Sequence, residues 1–523
     1  MPLLALASFI AVLLLAVLLW RMGRSPDSTT NTAGPSVSGT SNRPIVLYCA
    51  AGMRYPMAEI IARYERELGG SIETQYGGSN TLLSQLQVTR GGDLYLAADA
   101  SYIERAREKG LVAESIPLAR MRPVIAVARD NPLGIATLAD LWNKNARVAL
   151  GDPEAAAIGK KTRKLLTTSG DWKRLEQLVR RQGVFKPTVN EAANAVKIGS
   201  ADAAIIWDTT AAQYGQLKSI TVPQLDAGEV LVTIGVLTAS KRPTDALRFA
   251  RYVAAEDRGL ESFRKNHFRT VGGDEWEANP KLIFFAGSVN RRALEPIVKR
   301  FAAREGVQVE TVFNGCGILT AQMRSLRDRS SGFPDAYMAC DVYYLDAVED
   351  WFQERVEVSE TEIGIVVAAG NPKQIRTLKD LARPGIRVAL GHPKQCTIGV
   401  LTRRLLEADG LYDRIVKNNL VTETASSAML VPSVVTGAAD ATLAYRVDAR
   451  NIGSKVDFIA VDSPLARAIQ PFAISRFSLH KQLARRLFRQ LAQSRDIFEQ
   501  IGFRWRLADQ TASRRSDSGD SGS

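Results

Sequence analysis

RVALGDPEAAAIG, residues 147–159, returns as RVALGHPKQCTIG at residues 387–399. Working outward from this pair, four more blocks recur in the same order. YGGSNTLLSQL (76–86) matches FNGCGILTAQM (313–323), and DLYLAAD (93–99) matches DAYMACD (335–341). GSADAAIIW (199–207) matches GAADATLAY (437–445), and the strand-plus-helix start of the first copy matches 282–286 with 293–301. A period of about 240 residues kept over five blocks means tandem duplication of one structural unit. FRKNHFR at 263–269 is echoed by FEQIGFR at 498–504, near the end of each copy.

Within a copy, strands alternate with helices. PIVLYCA (44–50) is a short apolar strand, and Met57, Ile60, Ile61, Tyr64 and Leu68 follow at helical spacing. Residues 71–76 and 93–98 read as strands, and 81–88 and 100–109 as helices. This alternation predicts an α/β fold with a largely parallel sheet. The boundaries expected are module 1 over 44–275 and module 2 over 281–507. A Ser/Thr/Gly/Pro-rich linker precedes them at 22–43 and a polar disordered tail follows at 508–523.

Residues 2–20 (PLLALASFIAVLLLAVLLW) are apolar and uncharged, long enough to span a bilayer. No basic residue precedes them, so 1–21 reads as an uncleaved membrane anchor, with a signal segment as the alternative. Arg21 and Arg24 follow, a bias toward a cytoplasmic C-terminal side that runs against export. The chain carries a formal charge of +13, but its basic residues are spread along amphipathic helices, as in Lys160, Lys161, Arg163 and Lys164. That spread does not point to nucleic acid. Four Cys and three His, with no CxxC and no HExxH, give no zinc site and no disulfide scaffold.

Chemistry concentrates where strands end. CAAGM (49–53), GGSNTLL (77–83) and GDPEAAAIG (151–159) each join a strand end to a helix start with small residues. Such turns aim free N–H groups out of the carboxyl edge of a sheet, where anions and ligands bind. Asp152 and Glu154 lie in a helix-opening turn and suit the helix dipole better than acid–base work. Asp99 and Asp341 suit helix caps. No His is placed as a base for a Ser nucleophile, and there is no P-loop or dinucleotide fingerprint, so the chain does not read as an enzyme.

Taken together, CAAGM, GGSNTLLSQL, DLYLAAD, GDPEAAAIG and AAIIWD resemble the periplasmic molybdate-binding proteins of ABC importers. The resemblance covers about 44–270 and again 281–505. It implies two tandem type II periplasmic-binding-protein-like modules, each of two α/β lobes with a ligand cleft between them. It also implies a small dehydrated oxyanion held by neutral donors, no cofactor or metal, an ABC permease as partner, and an extracytoplasmic, membrane-anchored or secreted location. Carried over to module 1, the ligand positions fall on Gly52, Ser79, Ile158, Val189 and Trp207. In module 2 they fall on Ser288, Cys316, Ile398, Ser427 and Tyr445. Gly52 lacks the hydroxyl the family has there, Trp207 replaces a tyrosine, and Cys316 replaces a serine. Cys316 and Cys396 lie in loops facing one cleft. A disulfide, free thiols or a soft-metal site with His392 are the alternatives. The departures keep open another anion, a metal complex or a small organic ligand, and also a membrane-anchored sensor or scaffold built from the same modules.

Overall fold

The computed structural model describes residues 43–326 and 332–507. The expected N-terminal anchor, nearly all of the linker and the tail lie outside the described residues. Among the described residues, no helix is long and apolar enough to cross a membrane.

In module 1 the first lobe is a six-stranded sheet. Its order is Arg269–Thr270, Val112–Met121, Val230–Leu237, Leu94–Ala97, Ile45–Ala50, Ile72–Gly77. The last three strands run parallel, and their helices cover the faces. The helix Arg54–Leu68 forms because Met57, Ile60 and Tyr64 make one buried stripe against this sheet. The second lobe is a five-stranded sheet in the order Val184–Lys186, Val148–Gly151, Ala203–Trp207, Pro123–Ala128, Leu217–Ile220. The first three strands are again parallel.

The sheets are mixed rather than largely parallel. Val230–Leu237 lies antiparallel to both its neighbours, and Pro123–Ala128 does the same in the second lobe. These are the strands that carry the chain between lobes. A chain that leaves a lobe along one strand must come back in the opposite sense. In module 1 the outward passage breaks at Arg122, because Pro123 has no N–H to continue a ladder. The Asp208 carboxylate accepts from the Arg122 N–H at 3.0 Å and fixes the break. Module 2 makes the passage as one 17-residue strand, Phe352–Ala368, which joins its two lobes into a single ten-stranded sheet.

Both modules belong to one compact unit. Helix Pro243–Val253 of module 1 packs on helix Arg291–Glu305 of module 2. At their contact the Glu305 carboxylate is 2% exposed and lies between two guanidinium groups. Arg251 Nη1 stands 3.2 Å away and Arg486 Nε 2.8 Å away. Burial works against the charged carboxylate, but the two arginines outweigh it and hold the Glu305 pKa below the usual range. Beside this triad, Arg304 pairs with Glu114 through two bonds of 2.7 and 3.0 Å. The Asp274 carboxylate caps helix Lys481–Ala492 by accepting from the Gln482 and Leu483 N–H groups.

Removing Glu305 leaves two buried cations unpaired. Glu305→Ala is expected to lower stability by about 3–5 kcal/mol, measured by urea unfolding. Because the folded carboxyl pKa is depressed, its contribution is present above the ordinary glutamate value. It is lost as pH falls through the folded value. The stability gap between wild type and Glu305→Gln should therefore narrow on acidification, and a gap independent of pH would contradict this account.

Candidate functional site

The cleft of module 1 is built from six strand-to-helix turns, three from each lobe. Gly52 lies in the short turn Ala51–Met53 after the first strand, and Ser79 opens helix Ser79–Thr89. Ile158 is the second residue of helix Ala157–Thr168, Val189 opens helix Val189–Lys197, and Trp207 ends strand Ala203–Trp207. All five line one small cavity of about 20 Å³, together with Ala51, Gly78, Ala98 and Ala157. The amides of Ser79, Ile158 and Val189 are in first helical turns and so have no intrahelical acceptor. No residue lining the cavity is charged.

Ser79 is held in place twice. Its carbonyl accepts from the Tyr95 hydroxyl at 2.7 Å, and its Oγ accepts from the Ala98 N–H at 3.2 Å. With its oxygen occupied from behind, the hydroxyl hydrogen is left to donate. Gly52 faces the other lobe: a Cβ there would lie 3.3 Å from Val189 Cγ1 and 3.7 Å from Trp207 Cδ1. The Thr210 hydroxyl oxygen stands at the same 3.7 Å from that position.

The lobes are drawn together over this cavity. The Asn80 and Thr81 N–H groups donate to the Ala155 carbonyl at 3.1 and 3.4 Å. The Asn80 side-chain amide donates to the Glu154 carbonyl at 2.5 Å. A Cβ on Gly78 would meet the Ala155 carbonyl oxygen at 2.5 Å and that of Pro187 at 2.7 Å, so only glycine permits the approach. Asp152 accepts from the Glu154 N–H, and Glu154 pairs with Arg163, which makes both turn residues. Asp99 and Asp341 cap the helices that follow them.

In module 2 Ile398 and Tyr445 occupy places equivalent to Ile158 and Trp207, in helix Thr397–Ala408 and at the end of strand Ala441–Tyr445. Ser427 begins the turn Ser427–Met429, as Val189 begins its helix. Ser288 does not take the place of Gly52. Strand register pairs Ala50 with Gly77 and Gly287 with Asn314, each two residues before the Ser79 or Cys316 position. Hence Ser288 corresponds to Ala51, and Val289 to Gly52. The Ser288 hydroxyl is hydrogen-bonded to Ser426 Oγ across the lobes at 2.9 Å, which makes it a closing contact.

Cys316 does stand where Ser79 does. Its Sγ accepts from the Cys340 N–H at 3.2 Å, the counterpart of the Ser79–Ala98 bond. Cys340 was missed by the sequence reading, although the aligned blocks DLYLAAD and DAYMACD place it opposite Ala98. Cys340 brings a second sulfur into the space that Ala98 leaves open in module 1. Burial opposes ionisation of Cys316, yet the Cys340 thiol, the Thr397 and Tyr337 hydroxyls and the Cys340 N–H beside it lower its pKa. The Cys340 thiol is pushed well up by its neighbour and by burial. Cys396 is no partner to this pair: its Sγ turns to the carbonyls of His392 and Thr424, at 3.6 and 3.4 Å. All four cysteines are free. Among the described residues, no group of three or more His, Cys, Asp or Glu side chains is placed to hold a metal ion.

The pattern of the bacterial extracellular solute-binding protein family matches residues 45–269 and again 282–504. A putative binding protein of Haemophilus influenzae is 30% identical over 202 residues, covering 39% of this chain and 81% of the relative. The molybdate-binding protein ModA of Mycobacterium bovis is 30% identical over 230 residues, covering 42% of this chain and 84% of that protein. Among solved structures, the periplasmic molybdate-binding protein of Azotobacter vinelandii aligns at 17% identity and a TM-score of 0.37, over 42% of this chain and 98% of that one. The chain belongs to the bacterial extracellular solute-binding proteins, a family of binders of the ABC-transporter type, and carries the family's module twice in tandem.

Proposed function

We propose that module 1 captures a small tetrahedral oxyanion, molybdate or tungstate, and delivers it to an ABC importer permease on the extracytoplasmic face of the membrane. The observation that carries this reading is the uncharged cavity between the lobes. The first-turn amides of three helices, the Gly52 backbone, the Ser79 hydroxyl and Trp207 converge on it. Neutral donors suit a fully ionised anion, because helix N-termini supply partial positive charge without a counterion that would have to be desolvated. Closure then follows from contacts that one ligand makes with both lobes at once. The identity to molybdate-binding relatives supports the choice of anion.

Titration calorimetry of the full chain with molybdate, tungstate, sulfate and phosphate tests the proposal. Heat is expected from molybdate and tungstate, and none from either would end it. Ser79→Ala should weaken binding by about 1–3 kcal/mol, the cost of losing one buried donor to an anion. An unchanged affinity would take Ser79 out of the site.

Gly78→Ala tests closure separately from contact chemistry, since Gly78 faces the other lobe's carbonyls. The added methyl should hold the lobes apart, lower anion affinity at least tenfold, and raise the radius of gyration measured by small-angle scattering with ligand present. A closed-size particle with wild-type affinity would show that the approach at Gly78 does not limit closure.

A further inference from the structure

The cleft of module 2 holds two thiols in one small space. Cys316 opens helix Cys316–Ser325, and Cys340 lies just beyond strand Ala336–Met338. The Cys340 N–H donates to Cys316 Sγ at 3.2 Å. Gly287 faces both sulfurs: a Cβ there would collide with the Cys340 sulfur and lie 2.8 Å from the Cys316 sulfur. The two sulfurs thus crowd the space of one absent methyl group. Module 1 keeps the same backbone bond with Ser79 and Ala98, so the fold itself needs neither thiol.

We propose that Cys316 and Cys340 form a modification site, where a two-electron oxidant of the peroxide class joins them in a disulfide inside the cleft of module 2. Cys316 is the attacking sulfur, since it sits at a helix N-terminus and already accepts an N–H bond. As thiolate it attacks one peroxide oxygen. The S–O bond forms, the O–O bond breaks, and the departing hydroxide takes up the thiol proton as water. The Cys340 sulfur then displaces hydroxide from the sulfenic acid. The S–S bond forms, the S–O bond breaks, and the second hydroxide leaves as water with the Cys340 proton. Two electrons pass from the sulfurs to one peroxide.

Both sulfurs are buried while the lobes are closed, and Thr397 of the opposite lobe stands beside them. Peroxide therefore reaches them through the opened cleft. The inference rests on the thiol geometry and is independent of which anion module 1 takes.

The test uses the full chain, reduced, freed of reductant and treated with hydrogen peroxide, then denatured and alkylated for peptide mass spectrometry. Of the four cysteines, Cys316 and Cys340 are expected to become resistant to alkylation and to appear as one linked peptide pair. Cys340→Ala and Cys316→Ser place in module 2 the residue types module 1 uses. Cys316→Ser should keep every remaining cysteine alkylatable, and Cys340→Ala should give no linked peptide and lose only the Cys316 thiol, as its sulfenic acid. Two variants guard against failure of either one to fold. Full alkylation of the oxidised wild type would overturn the proposal. So would a bond from Cys316 to Cys396, or loss of two thiols in the folded Cys340→Ala protein.

Discussion

The approach of one helix N-terminus to the opposite lobe is the constraint on which both clefts depend. In module 1 it is the bond from Asn80 and Thr81 to the Ala155 carbonyl, with Gly78 pressed between two carbonyl oxygens. Module 2 repeats it: the Ile318 N–H donates to the Gln395 carbonyl at 3.3 Å, and Gly315 lies against the same oxygen. Backbone groups make this contact in both modules, with side-chain bonds from Asn80 in module 1 and between Ser288 and Ser426 in module 2 beside it. It also brings first-turn amides from both lobes to one point. Amides in those first turns have no intrahelical acceptor.

Divergence after duplication has followed the division between backbone and side chains. The backbone around the Ser79 and Cys316 positions is the same in both halves, down to the bond between residue 79 or 316 and residue 98 or 340. The side chains on it are not. Ala98 leaves room in module 1, while Cys340 places a sulfur in the equivalent room of module 2. Thr397 and Tyr445 add hydroxyls where module 1 has Ala157 and Trp207, and the Thr397 hydroxyl stands beside the Cys316 sulfur. These exchanges of residue type make the two clefts chemically distinct.

Much of this was legible in the residues. Repeated blocks gave the duplication, and small residues at strand ends gave the loops that meet at the cleft. Gly52, Ser79, Ile158, Val189 and Trp207, far apart in the chain, do line one cavity. What the residues hid was register and direction. Ser288 looked like the missing hydroxyl of the first loop, but strand pairing moves it by one position and turns it to Ser426. A one-residue shift of that kind changes which face a side chain takes. Cys396 shares a cleft with Cys316 in the linear pattern, yet its sulfur bonds within its own loop. Side-chain direction is set by the local backbone, and no spacing rule reveals it. The antiparallel crossing strands were hidden for a similar reason: alternation shows that strands exist, not the sense in which they return.

The join between modules bears on how the two clefts move. Glu305, Arg251 and Arg486 tie helices that all lie on first lobes, and Glu114 and Ser115 receive Arg304 and Arg489 from the same side. Breaking a buried charge triad is costly, so the two first lobes form one joined base from which each second lobe extends. The two second lobes do not share that base in equal ways. Module 1 breaks its outward strand at Arg122–Pro123, whereas module 2 carries Phe352–Ala368 through unbroken. A broken strand concentrates bending at one peptide, while a continuous one spreads it over a twisted ribbon. Bending between the lobes of module 1 is therefore concentrated at Arg122–Pro123, where module 2 has no such break.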